Sequence, residues 1–126
     1  MLHNKHTILV VEDEELLRDL LKECLEEDGY EVLIAEDGFE AVEIYKRSKD
    51  TIALVISDMG LPGIGGWEVF RQIREVTPDA KVILSSGFVK SGVREEMIQA
   101  GALDLVQKPY DIVRIVAMAR KIIAVS

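Results

Sequence analysis

The chain has 126 residues, 48% of them hydrophobic, and its 15 Lys and Arg against 23 Asp and Glu leave a formal charge of −8. That is enough apolar material for the core of one domain, which excludes a disordered chain, and the negative balance argues against direct contact with nucleic acid or an anionic membrane. No apolar run reaches the roughly 18 residues of a membrane helix, and the opening Met1-Leu2-His3-Asn4-Lys5-His6 lacks the apolar stretch of a signal peptide, so a cytoplasmic protein with protein or cation partners is expected.

In chain order, His3 and His6 could bind a metal but read as a loose terminus, and Thr7 to Val11 is a strand-like apolar run. Glu14 to Asp28 has the helical period, with Leu16, Leu17, Leu20, Leu21, Cys24 and Leu25 assigned to one face and Gly29 as the stop. Cys24, the single cysteine, therefore reads as a packed thiol. Glu31 to Ala35 is a second strand. Asp37-Gly38-Phe39-Glu40 sets a capping acid three positions before a Glu and opens a helix through about Ser48.

The unbroken Ile52-Ala53-Leu54-Val55-Ile56 run suits a strand buried on both faces, which delivers Asp58 to its carboxyl end ahead of a glycine-rich loop. Trp67, Val69, Phe70 and Ile73 then predict a helix to about Val76, closed by Thr77-Pro78-Asp79. Lys81 to Ser85 is a fourth strand and Lys90 to Ala100 a fourth helix with Gly101 behind it. Leu103 to Val106 is a short fifth strand, and Tyr110 to about Val125 the last helix. The chain is expected to end there, within a turn of its last helix, and to form a single domain ordered over about residues 7–125.

Five strands alternating with five helices predict a (βα)5 doubly wound α/β fold. Its parallel five-stranded sheet would be covered on both faces by right-handed crossovers. A flavodoxin-like order 2-1-3-4-5 brings the carboxyl ends of strands one, three, four and five side by side, about 4.8 Å apart per step. Glu12-Asp13, Asp58, Ser85-Ser86-Gly87 and Gln107-Lys108-Pro109 stand at those ends.

Each of these is unremarkable alone, because acids and serines commonly end strands or cap helices. Together they make a crevice whose carboxylates repel by about 4 kcal/mol per pair at 4 Å and an effective dielectric near 20. A hard divalent cation offsets that repulsion, and Mg²⁺ in particular favours a few carboxylates beside a phosphate. Lys108 could meet a phosphoryl oxygen as a point charge, and Ser86 could donate a hydroxyl. A carboxylate nucleophile, a metal, a lysine and a hydroxyl are what acyl-phosphate formation on Asp58 requires.

In their order and spacing, several segments carry a family resemblance. They are Val10-Val11-Glu12-Asp13-Glu14, Ser57-Asp58-Met59 with Leu61-Pro62-Gly63 and Gly66, Ser86-Gly87, and Gly101-Ala102-Leu103-Asp104 leading to Lys108-Pro109-Tyr110. Along essentially its whole length the chain resembles a CheY-like receiver domain of two-component response regulators. The resemblance implies that Asp58 accepts phosphate from a histidine kinase or phosphotransfer protein. It also implies that Glu12, Asp13, Asp58 and the backbone carbonyl of Gly60 bind Mg²⁺, and that Ser86 and Lys108 hold the phosphoryl group. The strand-four, helix-four, strand-five face would then turn toward a downstream effector protein or domain, with no catalysis beyond the domain's own phosphorylation and dephosphorylation.

Two positions depart from the family. Leu105 stands where receivers often carry an aromatic, three residues before the lysine. Gly60 and Gly65 stand where the family often has side chains, so nothing there steers an attacking water. Tyr110 reads as a packing residue at a helix start. Val93, Met97 and Ile98 on helix four could be core or partner-facing.

The alternatives are a receiver excised from a hybrid histidine kinase or a longer regulator, a phosphohydrolase, and a flavodoxin-like cofactor binder. The cofactor binder fits poorly, because Glu12-Asp13-Glu14 occupies the loop that would cradle a phosphate. The hydrolase fits poorly because Gly60 stands where a second acid is usual.

Overall fold

The computed structural model describes residues 6–124, so His3 and Val125 lie outside the described residues. In chain order the elements are β1 (Thr7–Val11), α1 (Glu15–Glu27), β2 (Glu31–Ala35), α2 (Gly38–Ser48), β3 (Ile52–Asp58), α3 (Gly66–Val76), β4 (Val82–Ser86), α4 (Val93–Gln99), β5 (Asp104–Gln107) and α5 (Ile112–Ala124). All four strand pairings are parallel, as the alternation of periods predicts, and the order is the flavodoxin-like β2-β1-β3-β4-β5.

Every residue of β1 is buried, because both faces of the sheet are covered. Alternate side chains go to opposite cores. Leu9 and Val11 join Val55, Leu84, Val69, Phe70 and Ile73 on one side, while Ile8 and Val10 join Ile56, Ile83, Leu21, Leu25 and Ile115 on the other. Each fully buried Leu, Ile or Val contributes about 1.5–3 kcal/mol, and those contributions lock the strand ends in register.

Several local expectations need correction. On α1, Leu21 and Leu25 are buried, but Leu16 and Leu20 are 87% and 49% exposed, and Arg18 takes a buried place. At about 100° per residue the buried stripe runs through positions 18, 21 and 25, and Leu20 and Leu16 fall roughly 130° and 170° from its centre, on the solvent side. Cys24 is half-buried. Helix α4 begins at Val93 rather than Lys90, because Gly92 has φ +90°, left-handed backbone that a helix cannot continue through. On that helix Met97 is buried and Ile98 exposed. Helix α5 begins at Ile112, where the Asp111 carboxylate accepts the amide of Val113 at 3.0 Å, so Tyr110 precedes the helix and lies half-buried against the α1/α5 core.

At α2 the capping acid behaves as expected: the Glu40 amide donates to Asp37 Oδ1 at 2.8 Å. The reciprocal bond is displaced by one residue, since Glu40 Oε1 accepts the amide of Glu36 rather than that of Asp37, at 2.7 Å.

Candidate functional site

Strand β1, flanked by β2 and β3, delivers Glu12 to the site at its carboxyl end. Its ladder runs one residue past the strand, where the Glu12 amide donates to the Ala35 carbonyl at 3.1 Å. The Glu12 carbonyl accepts Arg18 Nη1 at 3.3 Å, and Glu12 Oε2 accepts the amide of Glu14 at 3.1 Å. Backbone and carboxylate are thus held together, and Glu12 is only 2% exposed.

Asp58 is the last residue of β3, in register with Ser85 of β4, and the following amide of Met59 donates to the Ser85 carbonyl at 2.7 Å. The Gly60 amide turns back to Asp58 Oδ1 at 3.1 Å. Helix α3 starts hard against this turn: Gly66 donates to the Met59 carbonyl at 3.0 Å, and a Cβ on Gly66 would collide with the carbonyl oxygen of Asp58. Asp58 therefore leaves the sheet in one direction, 7% exposed.

Lys108 follows β5, its amide donating to the Ser86 carbonyl at 2.8 Å, and the Lys108–Pro109 peptide is cis. Its ammonium lies 2.8 Å from Glu12 Oε1, 3.1 Å from Asp58 Oδ2 and 3.5 Å from Glu14 Oε1. Carboxylate oxygens of Glu12, Asp13 and Asp58 lie within 4.8 Å of one another. The crevice predicted at the strand tips is thus assembled from β1, β3 and β5, with Asp13 at its exposed side.

Its electrostatics follow from burial. Desolvation holds the Glu12 carboxyl above the usual carboxylate range; hydrogen bonds from Lys108 and the Glu14 amide pull it back, and the Asp58 charge pushes it further up. Burial works to lower the Lys108 ammonium, but hydrogen bonds to Glu12 and Asp58 outweigh that and carry it above the ordinary lysine range. The Tyr110 phenol is pushed up to about 12 by burial and then by the Glu12 charge. The single ammonium of Lys108 meets Glu12, Glu14 and Asp58, with Asp13 beside Glu12 and Asp58, so the acidic groups of the crevice outnumber its cation. The donors on offer are all oxygens, and hard oxygen sets of this kind suit Mg²⁺ rather than a softer metal.

Ser86 and Gly60 stand at the same edge. The Ser86 hydroxyl donates to the Phe88 carbonyl at 2.9 Å and accepts the Phe88 amide at 3.4 Å, so it is folded onto its own loop. Gly60 is exposed and contributes its amide to Asp58. Leu105 is buried in the core. Two contributors escaped the sequence reading. Arg18 interrupts the apolar stripe of α1 between Leu17 and Leu21, which is the cue that its stem is packed and its head is needed inside. Glu14 offered no cue beyond its place in an acidic run.

The response regulator receiver domain profile matches residues 8–120 of the chain. The chemotaxis protein CheY of Thermotoga maritima is 35% identical over 116 residues, which cover 91% of this chain and 95% of that protein. Among solved structures, the T. maritima response regulator TrrA in complex with Mg²⁺ and BeF is 38% identical with a TM-score of 0.78, covering 93% of this chain and 98% of that one. The CheY of Borrelia burgdorferi in its complex with CheX, BeF3 and Mg²⁺ is 25% identical with a TM-score of 0.87, covering 93% of this chain and 88% of that one.

Proposed function

The chain belongs to the response regulator receiver family, and from that premise we propose that Asp58 accepts a phosphoryl group in a Mg²⁺-dependent transfer from a histidine kinase or phosphotransfer protein. As a receiver domain of a two-component system it is not a conventional enzyme: the group that reacts is its own side chain. The observation that carries the proposal is the Lys108 ammonium bridging Asp58 Oδ2 at 3.1 Å and Glu12 Oε1 at 2.8 Å, beside a third carboxylate.

In that arrangement an Asp58 oxygen bonds to phosphorus as the donor's bond to phosphorus breaks, and the leaving group departs with the electron pair. Glu12, Asp13, Asp58 and the Gly60 carbonyl would hold Mg²⁺, which when bound supplies neutralising charge to the phosphoryl oxygens. Lys108 stays protonated and moves from the carboxylates toward a phosphoryl oxygen. Ser86 exchanges the Phe88 carbonyl for another. The new group adds up to about two negative charges. Drawing Ser86 and Lys108 inward couples it to β4, α4 and β5, shifting an existing equilibrium of that face toward a form that binds an effector protein or domain. Leu105 in place of an aromatic means that this shift runs through backbone and loop rather than through a rotating ring at that position.

No helix among the described residues is long and apolar enough to cross a membrane. We read the chain as one cytoplasmic receiver domain. Intact mass after incubation with Mg²⁺ and acetyl phosphate tests the proposal. The expected result is a gain of one phosphoryl group by the wild type and none by Asp58→Asn; equal gain by both would contradict it.

A further inference from the structure

Lys108 has three acidic neighbours, and the account above uses two of them. The third, Glu14, differs from the others in every respect that matters. Its side chain is 66% exposed, against 3% for Glu12 and 8% for Asp58, and its carboxylate meets the ammonium at 3.5 Å from the solvent side.

Glu14 occupies the position just before α1, where a polar side chain ordinarily turns onto the helix's free amides, yet it makes no such bond. Its backbone is pinned instead, the amide donating to Glu12 Oε2 at 3.1 Å, which fixes the direction in which the side chain leaves. That direction is over Lys108. A cleft of about 460 Å³ lined by Glu14, Leu16, Lys108 and Tyr110 opens beside the contact.

We propose that Glu14 is a positioning residue that competes with an incoming phosphoryl group for Lys108, and so sets how readily the domain takes up an anionic phosphodonor. The proposal rests on Asp58 being the phosphoacceptor. An anion reaching Asp58 has to exchange Glu14 for itself on the ammonium, and Glu14 retakes the ammonium when the anion leaves. The exchange weakens donor binding and the transition state equally, since the lysine meets the phosphoryl oxygens in both. It therefore belongs to the half-saturating concentration rather than the limiting rate.

The test is phosphorylation of the full chain by acetyl phosphate with Mg²⁺ in excess. There an Asp58 oxygen bonds to phosphorus as the acetyl oxygen–phosphorus bond breaks and acetate leaves with the electron pair. For Glu14→Gln the half-saturating acetyl phosphate concentration is expected to fall about threefold, the scale of a solvent-exposed ion contact, with the limiting rate unchanged. Glu14→Asp keeps the charge but withdraws the carboxylate by one methylene and favours capping, so it is expected to behave like Glu14→Gln. Glu15→Gln removes the same charge one residue along, at a side chain outside this contact, and is expected to match the wild type.

Equal shifts in Glu14→Gln and Glu15→Gln, or a wild-type value in Glu14→Asp, would reduce Glu14 to part of a general negative field and overturn the proposal. A change confined to the limiting rate would overturn it as well. Failure of the wild type to take phosphate at all would remove the phosphoacceptor reading itself, a result distinct from wild-type labelling that ignores Glu14.

Discussion

The ammonium of Lys108 donates to Asp58 Oδ2 at 3.1 Å although the two residues lie fifty positions apart in the chain. Only the neighbouring of β3, β4 and β5 in the sheet closes that gap, so the contact reports fold and site at once. Replacing Lys108 by Met leaves Glu12 and Asp58 facing each other without their cation. The expected cost is about 3 kcal/mol in urea unfolding with EDTA present. In saturating Mg²⁺ the deficit is expected to shrink, because a second cation is then available; a deficit independent of Mg²⁺ would show that the carboxylates do not share a metal.

Gly66 sets the aim of Asp58. In Gly66→Ala the new methyl group meets backbone, with Met59 Cα only 2.5 Å away, and backbone cannot yield as a side-chain tip can. A loss of about 2 kcal/mol or more is expected, together with impaired phosphorylation. Gly60→Ala is the control: its nearest neighbour would be Asp58 Oδ1 at 3.8 Å, an ordinary contact, so stability should change by less than about 0.5 kcal/mol. Similar melting temperatures for the two variants would refute the steric account.

Tyr110 gives the alkaline limb a defined sign. Its folded-state phenol is raised from 10.0 to about 12, chiefly by burial. Between those values the folded chain keeps a proton that the unfolded chain releases. The contribution of Tyr110 to stability is therefore complete below pH 10 and is lost as pH rises toward 12. Tyr110→Phe is expected to flatten that decline in chemical denaturation across the same range, and an unchanged slope would contradict the assignment.

The α1 stripe separates what the sequence discloses from what it conceals. Leu21→Ala should cost about 3 kcal/mol, since Leu21 is 1% exposed, whereas Leu16→Ala at 87% exposure should stay within about 0.5 kcal/mol. Thermal unfolding of the two variants measures the contrast. The spacing of apolar residues revealed that a helix was there, but six candidate positions span more than one face, and choosing among them needs the neighbour that covers them.

The strand tips were legible for a simpler reason. Period-two and period-3.6 segments alternate cleanly, a parallel sheet then has one ligand-bearing edge, and Glu12, Asp13, Asp58, Ser86 and Lys108 can be counted onto it. Side-chain direction could not be counted. That the Ser86 hydroxyl turns to Phe88 and that Arg18 goes inward to the Glu12 carbonyl are set by local loop conformation, and that Glu14 reaches Lys108 depends on elements 94 positions apart in sequence. The start of α4 was missed because Lys90 and Ser91 are compatible with helix, and only the left-handed backbone of Gly92 shows the break.

Borohydride trapping of the chain after reaction with acetyl phosphate tests the central claim most directly, because an acyl phosphate on aspartate is reduced to homoserine at the residue that carried it. With Mg²⁺ present, peptide mapping should find homoserine at position 58, and with EDTA it should find none. Homoserine at another acid of the crevice, or labelling that persists without metal, would contradict the account.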